Sequence, residues 1–293
     1  MNQSASCVGE LAERLLGSGT PGSVTRLFQR SAYVRSGEEF VLLLWGGPRS
    51  PTTINVEGDP VTGGIRADER CEVSRNGVSL GSVRIGVEGA DVFRSALVHR
   101  REVALPRREA LKRGVGVLRS LYDGSPSGPK LFEDDALGTF AEDVLVPLAS
   151  GRRSSAHSPA SYLPLVGRGG GFTPAGDDFL GGFVATFNFV ARCRGSKQIR
   201  MTRADLRGRT VPESANLLYD SARGYVDEGV EALILKSLGG GAGFSDELFE
   251  VARRGHTSGM DISLGVLLCE AAIADADGRG SALDDCLDVL RSP

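Results

Sequence analysis

"CEVSRNGVSLGSVRIGV", residues Cys71–Val87, decides how the front of the chain reads. Apolar and polar residues alternate on both sides of Asn76-Gly77. Alternation with a period of two puts one side-chain set on one face of a strand, and Asn-Gly supplies the positive φ values of a type I′ turn. The stretch is therefore read as a hairpin. Working back from it, "FVLLLW" (Phe40–Trp45) is a continuous apolar run stopped by Gly46-Gly47-Pro48, as a buried strand would be, and "TTINV" (Thr52–Val56) is β-branched. Val8–Leu16 reads as a short helix before Gly17.

Working forward, the period changes. Leu111, Val115, Leu118 and Leu121 fall at helical spacing, with Pro106 suited to a first turn. "DGSPSGP" (123–129) is a loop. Leu137, Phe140, Val144 and Leu148 mark a second helix opened by Asp134-Asp135, and residues 151–164 form a Ser/Pro-rich exposed stretch. A third helix starts near Asp178. Further helices are expected over 213–222, 225–238, 245–253, 261–274 and 283–290. Strands come first and helices after, without alternation. That is an α+β arrangement, with a β-rich N-terminal domain over 1–104 and an all-helical C-terminal domain over 105–293. It argues against a Rossmann fold and a TIM barrel.

The totals narrow the function classes. The chain has 293 residues, 41% of them hydrophobic, and a net charge of −3, so no basic field exists to attract nucleic acid. The five cysteines are scattered without a CxxC, which leaves no zinc ribbon or disulfide framework; Cys193 and Cys269 read as core thiols. No stretch approaches the roughly 18 apolar residues of a membrane span. "MNQSASCVGELAERLL" lacks the basic and apolar regions of a signal peptide. A cytoplasmic location is expected.

The chemistry is expected in "GRGGGFTPAGDDFLGGF" (Gly167–Phe183). Glycines ahead of a helix start present backbone N–H groups to an anion such as phosphate. Asp177 and Asp178 alternatively read as an N-cap and a first-turn acid. "TSGMDISLGV" (Thr257–Val266) repeats the pattern: Gly176 aligns with Gly259, Asp178 with Asp261, and Gly182 with Gly265. Each glycine stands one turn beyond its aspartate, where a small residue lets another helix come close. Two similar helix starts are therefore expected to pack about a pseudo-twofold and aim at one place. The candidate catalytic residues are Asp178, Asp261 and His256. The candidate anion-binding residues are Arg168, Gly169, Gly171, Thr173, Gly176, Asp177, Thr257, Ser258 and Gly259. Arg209 is a second candidate cation. A site of His256, Asp178 and Asp261, rich in carboxylate oxygen, is conceivable for magnesium, so that cofactor stays open, but the spacing carries no metal signature and no metal ligand is assigned.

These motifs, with "RTVPESANLLYDSARG" (Arg209–Gly224), resemble the family typified by the AllH subunit of oxamate carbamoyltransferase. Its core pattern reads approximately G-x-G-x-G-L-T-P-S-G-D-D-F-L-x-G. Here Phe172 stands for the Leu and Ala175 for the Ser. "GTPGSVTRLFQRSAYV" (Gly19–Val34) is loosely similar to the family's opening segment. The resemblance implies a role in purine catabolism: a transferase that exchanges a carbamoyl group between oxalurate and phosphate, built with other subunits. A small anionic substrate or phosphate is the partner it implies. "PAGDDFLGGF" is also similar to the G-A-G-D-x-F-x-x-G-F signature of ribokinase-like sugar kinases, in which Asp177 would be the base. A non-catalytic helical scaffold subunit is the third reading.

Overall fold

The computed structural model describes residues 1–104, 107–124, 131, 134–152, 157–239, 243–278 and 280–291. The first-turn place of Pro106, most of the 123–129 loop and part of the Ser/Pro-rich stretch lie outside them. The chain divides into two compact units, Met1–Ala96 and Leu97–Pro293.

The first unit is a β-barrel. Its strands are β1 (Asn2–Gly9), β2 (Gly22–Phe28), β3 (Ser31–Ser36), β4 (Glu39–Trp45), β5 (Thr53–Val56), β6 (Arg70–Ser74), β7 (Gly77–Leu80), β8 (Val83–Gly86) and β9 (Asp91–Phe93). They run in the order β5-β4-β3-β2-β6-β7-β8-β1, and β1 pairs with β5 to close the ring. The seam is β1. Its residues 2–4 run parallel to β8, Ala5 to Val8 pair antiparallel with β5, and Cys7 to Gly9 run parallel to β9. Closure leaves no open edge among the eight. Val24, Val34, Leu43, Ile54, Val78 and Ile85 fill the interior, and α1 (Glu10–Ser18) adds Ala12, Leu15 and Leu16 to the same core.

Two expectations here need correction. Val8 belongs to a strand rather than opening a helix, because its backbone is held in the barrel seam; the helix starts at Glu10 and passes through Gly17. The hairpin exists, but its two turn residues are Arg75 and Asn76, since Ser74 pairs with Gly77. Asn76 does not take positive φ. Gly77 does (134°), and a Cβ there would fall 1.9 Å from the carbonyl oxygen of Ile85 on β8. Glycine is needed for the approach of the third strand, not for a type I′ turn.

The second unit is helical. It contains most of α2 (Ala96–His99), then α3 (Arg108–Asp123), α4 (Asp135–Phe140), α5 (Val146–Ala149), α6 (Pro159–Tyr162), α7 (Ala175–Cys193) and α8 (Arg203–Leu206). There follow α9 (Pro212–Ala222), α10 (Glu228–Gly239), α11 (Phe244–Ala252), α12 (Ser258–Ala276) and α13 (Ala282–Arg291). The α+β class is as read from the sequence. Asp134 caps α4 by accepting from the Ala136 N–H at 2.7 Å, and a π-helical turn, Ala141–Leu145, joins α4 to α5. Cys269 is buried, but Cys193, at the end of α7, is only partly so.

The centre of this unit is the pair α7 and α12. Both are buried almost all round, as core helices are. A Cβ on Gly182 would fall 2.1 Å from the carbonyl oxygen of Ile262, and one on Gly265 would fall 2.0 Å from that of Phe179. Each glycine of the repeated pattern thus meets the residue just after the other helix's aspartate. The two helices cross backbone to backbone, about a pseudo-twofold.

Candidate functional site

The crossing sets both helix starts side by side. The Thr173 hydroxyl donates to Asp178 Oδ2 at 3.0 Å and lies 3.0 Å from Ser258 Oγ. Asp178 and Ser258 therefore share one hydroxyl, supplied by the loop before α7. Asp261 is 1% exposed; its Oδ1 accepts from the Tyr122 hydroxyl at 2.5 Å, and its Oδ2 has no hydrogen-bond partner among the described residues. Burial pushes the Asp178 carboxyl up to about 8, helped by the charges of Asp261 and Asp177 and opposed by the Ser258 and Thr173 hydroxyls. Burial also pushes Asp261 up to about 6, against the Tyr122 and Thr257 hydroxyls that favour its anion. Among the described residues, no lysine or arginine acts on either carboxyl.

Asp177 does something else. It is 3% exposed, and three donors converge on it: the Gly167 N–H at 2.8 Å, the Ser214 hydroxyl at 2.7 Å and the Thr210 hydroxyl. It ties the glycine loop to the start of α9, which joins two of the three sequence motifs. With both oxygens occupied, Asp177 is poorly placed to be the base of the kinase-like reading.

The helix starts differ from the sequence expectation. Helix α7 begins at Ala175 with Pro174 at its N-cap, so neither aspartate caps it. The Gly176 N–H already bonds the Arg168 carbonyl, the Asp177 and Asp178 N–H groups bond that of Pro174, and the Gly259 N–H bonds that of Arg254. Gly176 and Gly259 serve close packing, against Leu165 and Val251. The backbone left facing solvent is the loop itself: Gly169 and Gly171 take φ of 92° and 99°, and Arg168 through Gly171 are exposed. Thr257 is half-buried beside Asp261, while His256 and Arg209 are exposed. His256 makes none of the hydrogen bonds that tie the cluster together. Among the described residues, no group of three or more His, Cys, Asp or Glu is arranged to hold a metal ion. No described helix is long and apolar enough to cross a membrane.

Tyr122 was not legible as a site residue. It continues the apolar stripe of Leu111, Val115 and Leu118 along α3, and such a stripe reads as core.

Together these features define a helical unit with a two-carboxyl site, built by two copies of one helix-start pattern. Residues 165–270 match the family model described as oxamate carbamoyltransferase subunit AllH. The match takes in all three motifs and each candidate residue except Tyr122. No curated protein and no solved structure matches the chain.

Proposed function

We propose that the chain is a subunit of a carbamoyltransferase-type enzyme in purine catabolism. It would act with other subunits on a small anionic substrate of the oxalurate or oxamate kind. Phosphate or carbamoyl phosphate would sit at the Gly169–Gly171 loop, beside Thr173 and Ser258. The observation that carries this reading is the Thr173–Ser258 contact, which joins two repeated helix starts over a pair of carboxyls, Asp261 buried and Asp178 partly so.

An anion beside two carboxylates would be repelled. The raised pKa values ease this conflict: at neutral pH Asp178 keeps its proton, and only Asp261 of the pair is ionised. The pair then holds one acid and one base. As a phosphate oxygen attacks the carbamoyl carbon of oxalurate, its proton passes to Asp261. As the carbon–nitrogen bond breaks, the proton of Asp178 passes to the leaving amide nitrogen and completes oxamate. Hydroxyl and loop N–H donors stabilise the oxyanion between these events.

In the enzyme assembled with its partner subunits, Asp178→Asn and Asp261→Asn should each lower the rate by about 100-fold or more while the chain stays folded. Wild-type rates in both variants would remove the carboxyls from the mechanism. Millimolar phosphate should raise the Tm of the isolated chain. A flat response to phosphate and carbamoyl phosphate would favour the scaffold reading instead.

A further inference from the structure

We propose that Tyr122 is a positioning residue of the carboxyl pair: its hydroxyl holds Asp261 by Oδ1 and leaves Oδ2 as the proton-accepting atom. This rests on the site assigned above and extends it to α3, which lies outside the matched segment 165–270.

Three observations carry it. Tyr122 is 1% exposed, and a buried tyrosine must place its hydroxyl on some acceptor. The acceptor here is a carboxyl oxygen at 2.5 Å, brought from 139 residues away in the chain. The other buried oxygen of that carboxyl has no partner among the described residues. A phenylalanine would fill the same apolar space, since the rest of this face of α3 is Leu111, Val115 and Leu118. The hydroxyl is what the position adds.

The consequence is an ordering of protons. The titratable groups acting on the pair are Tyr122 of α3, Asp177 and Asp178 of α7, and Asp261 itself; none from α5, α10, α11 or α13 contributes. Asp261 is the more deeply buried of the two, and both have hydroxyl neighbours, Thr173 and Ser258 at Asp178 and Thr257 at Asp261. The tyrosine falls on one only. A donor to a carboxylate favours its ionised form, so Tyr122 makes Asp261 the base and leaves Asp178 the acid. Tyr122 itself stays protonated, because burial and the charge of Asp261 raise its pKa well above the ordinary phenol value.

The test is Tyr122→Phe in the full chain, with carboxyl titration followed by carbon-13 NMR and the Asp261 signal assigned through Asp261→Asn. Removing a charge-assisted hydrogen bond should move the Asp261 midpoint up by about one to two pH units. In the assembled enzyme the acidic limb of kcat/KM should move by the same amount, with KM little changed. Replacing tyrosine by fluorotyrosine, a stronger donor, should move the midpoint down. A midpoint that stays put in both proteins would overturn the proposal, leaving a structural tyrosine. The titration needs no turnover: a shifted midpoint in a chain whose assembled enzyme is inert to oxalurate and phosphate would support Tyr122's role and count against carbamoyl transfer.

Discussion

Asp177 and Asp178 are consecutive residues in the first turn of α7, so their side chains leave the helix about 100° apart. That rotation gives them different surroundings. Asp177 turns toward Gly167, Thr210 and Ser214 and receives three donors. Asp178 turns toward Thr173 and α12, where burial outweighs its hydrogen bonds and the proton is retained. The sequence repeat had favoured Asp178, because Asp261 echoes it; the kinase-like similarity favoured Asp177. Donor saturation at Asp177 explains why they differ. The same contrast gives a stability prediction. Asp177→Ala leaves three donors without their acceptor, at about 1–3 kcal/mol each where water cannot replace it. The helical unit should lose about 3 kcal/mol or more in urea denaturation followed by circular dichroism. A loss below about 1 kcal/mol would mean that the carboxylate is not what ties the loop to α9.

At the scale of elements, the site depends on how closely α7 and α12 approach. With Gly182 and Gly265 against opposing backbone, no side chain separates the helices where they cross. The two N-termini, about two turns from that crossing, are held within reach of a shared hydroxyl. Gly182→Ala or Gly265→Ala would drive a methyl into a carbonyl oxygen. The helices must then separate, which overpacked cores do at about 1–3 kcal/mol or more. Thr173 and Ser258 would be pulled apart with them. Gly181→Ala is the control, because its Cβ would meet only the Ser221 hydroxyl, at 3.6 Å. There alanine should be neutral or stabilising by about 0.5–1 kcal/mol, since it loses less entropy in a helix than glycine does. Equal melting temperatures for Gly181→Ala and Gly182→Ala would contradict this account of the crossing. This much was legible in the sequence: the spacing of aspartate and glycine in two segments predicted a paired, close-packed crossing. The starting points of the helices were less legible. Asp177-Asp178 looks like a capping signal, yet the preceding Pro174 can open a helix as well, and Gly176 must pack on Leu165.

At the scale of the molecule, the least legible feature was closure of the barrel. The β texture of the first hundred residues is a local property. The pairing of β1 with β5 joins residues about fifty positions apart, and nothing in Ser6 to Val8 or Thr53 to Val56 announces its partner. Buried charge is likewise a whole-fold property. Three carboxyls, Asp178, Asp261 and Glu270, are held in the helical unit with no lysine or arginine among the described residues acting on them. Glu270 is wholly buried on α12, takes one hydrogen bond from Ser237 at 2.6 Å, and is pushed well above the ordinary glutamate value. A carboxyl whose pKa is higher folded than unfolded binds more protons in the folded state. Its stabilisation is then complete below the unfolded value, 3.8 for aspartate, and is lost as pH rises through the folded value. For Asp261 the loss extends to about 6, and for Asp178 to about 8. Below about pH 4 the trend reverses for the partly exposed Asp285, whose pKa is lowered by its hydrogen bond from Arg108. The protein should therefore melt highest in mildly acidic buffer, and its Tm should fall between pH 5 and 8. Asp178→Asn removes one of the three titrations while keeping a neutral side chain of the same shape. Its Tm relative to the wild type should rise steadily across that interval and level off as the pH approaches about 8, where the folded Asp178 itself loses its proton. A difference that stays constant from pH 5 to 8 would show that Asp178 is ionised in the folded protein throughout, and would also remove it as the acid of the pair.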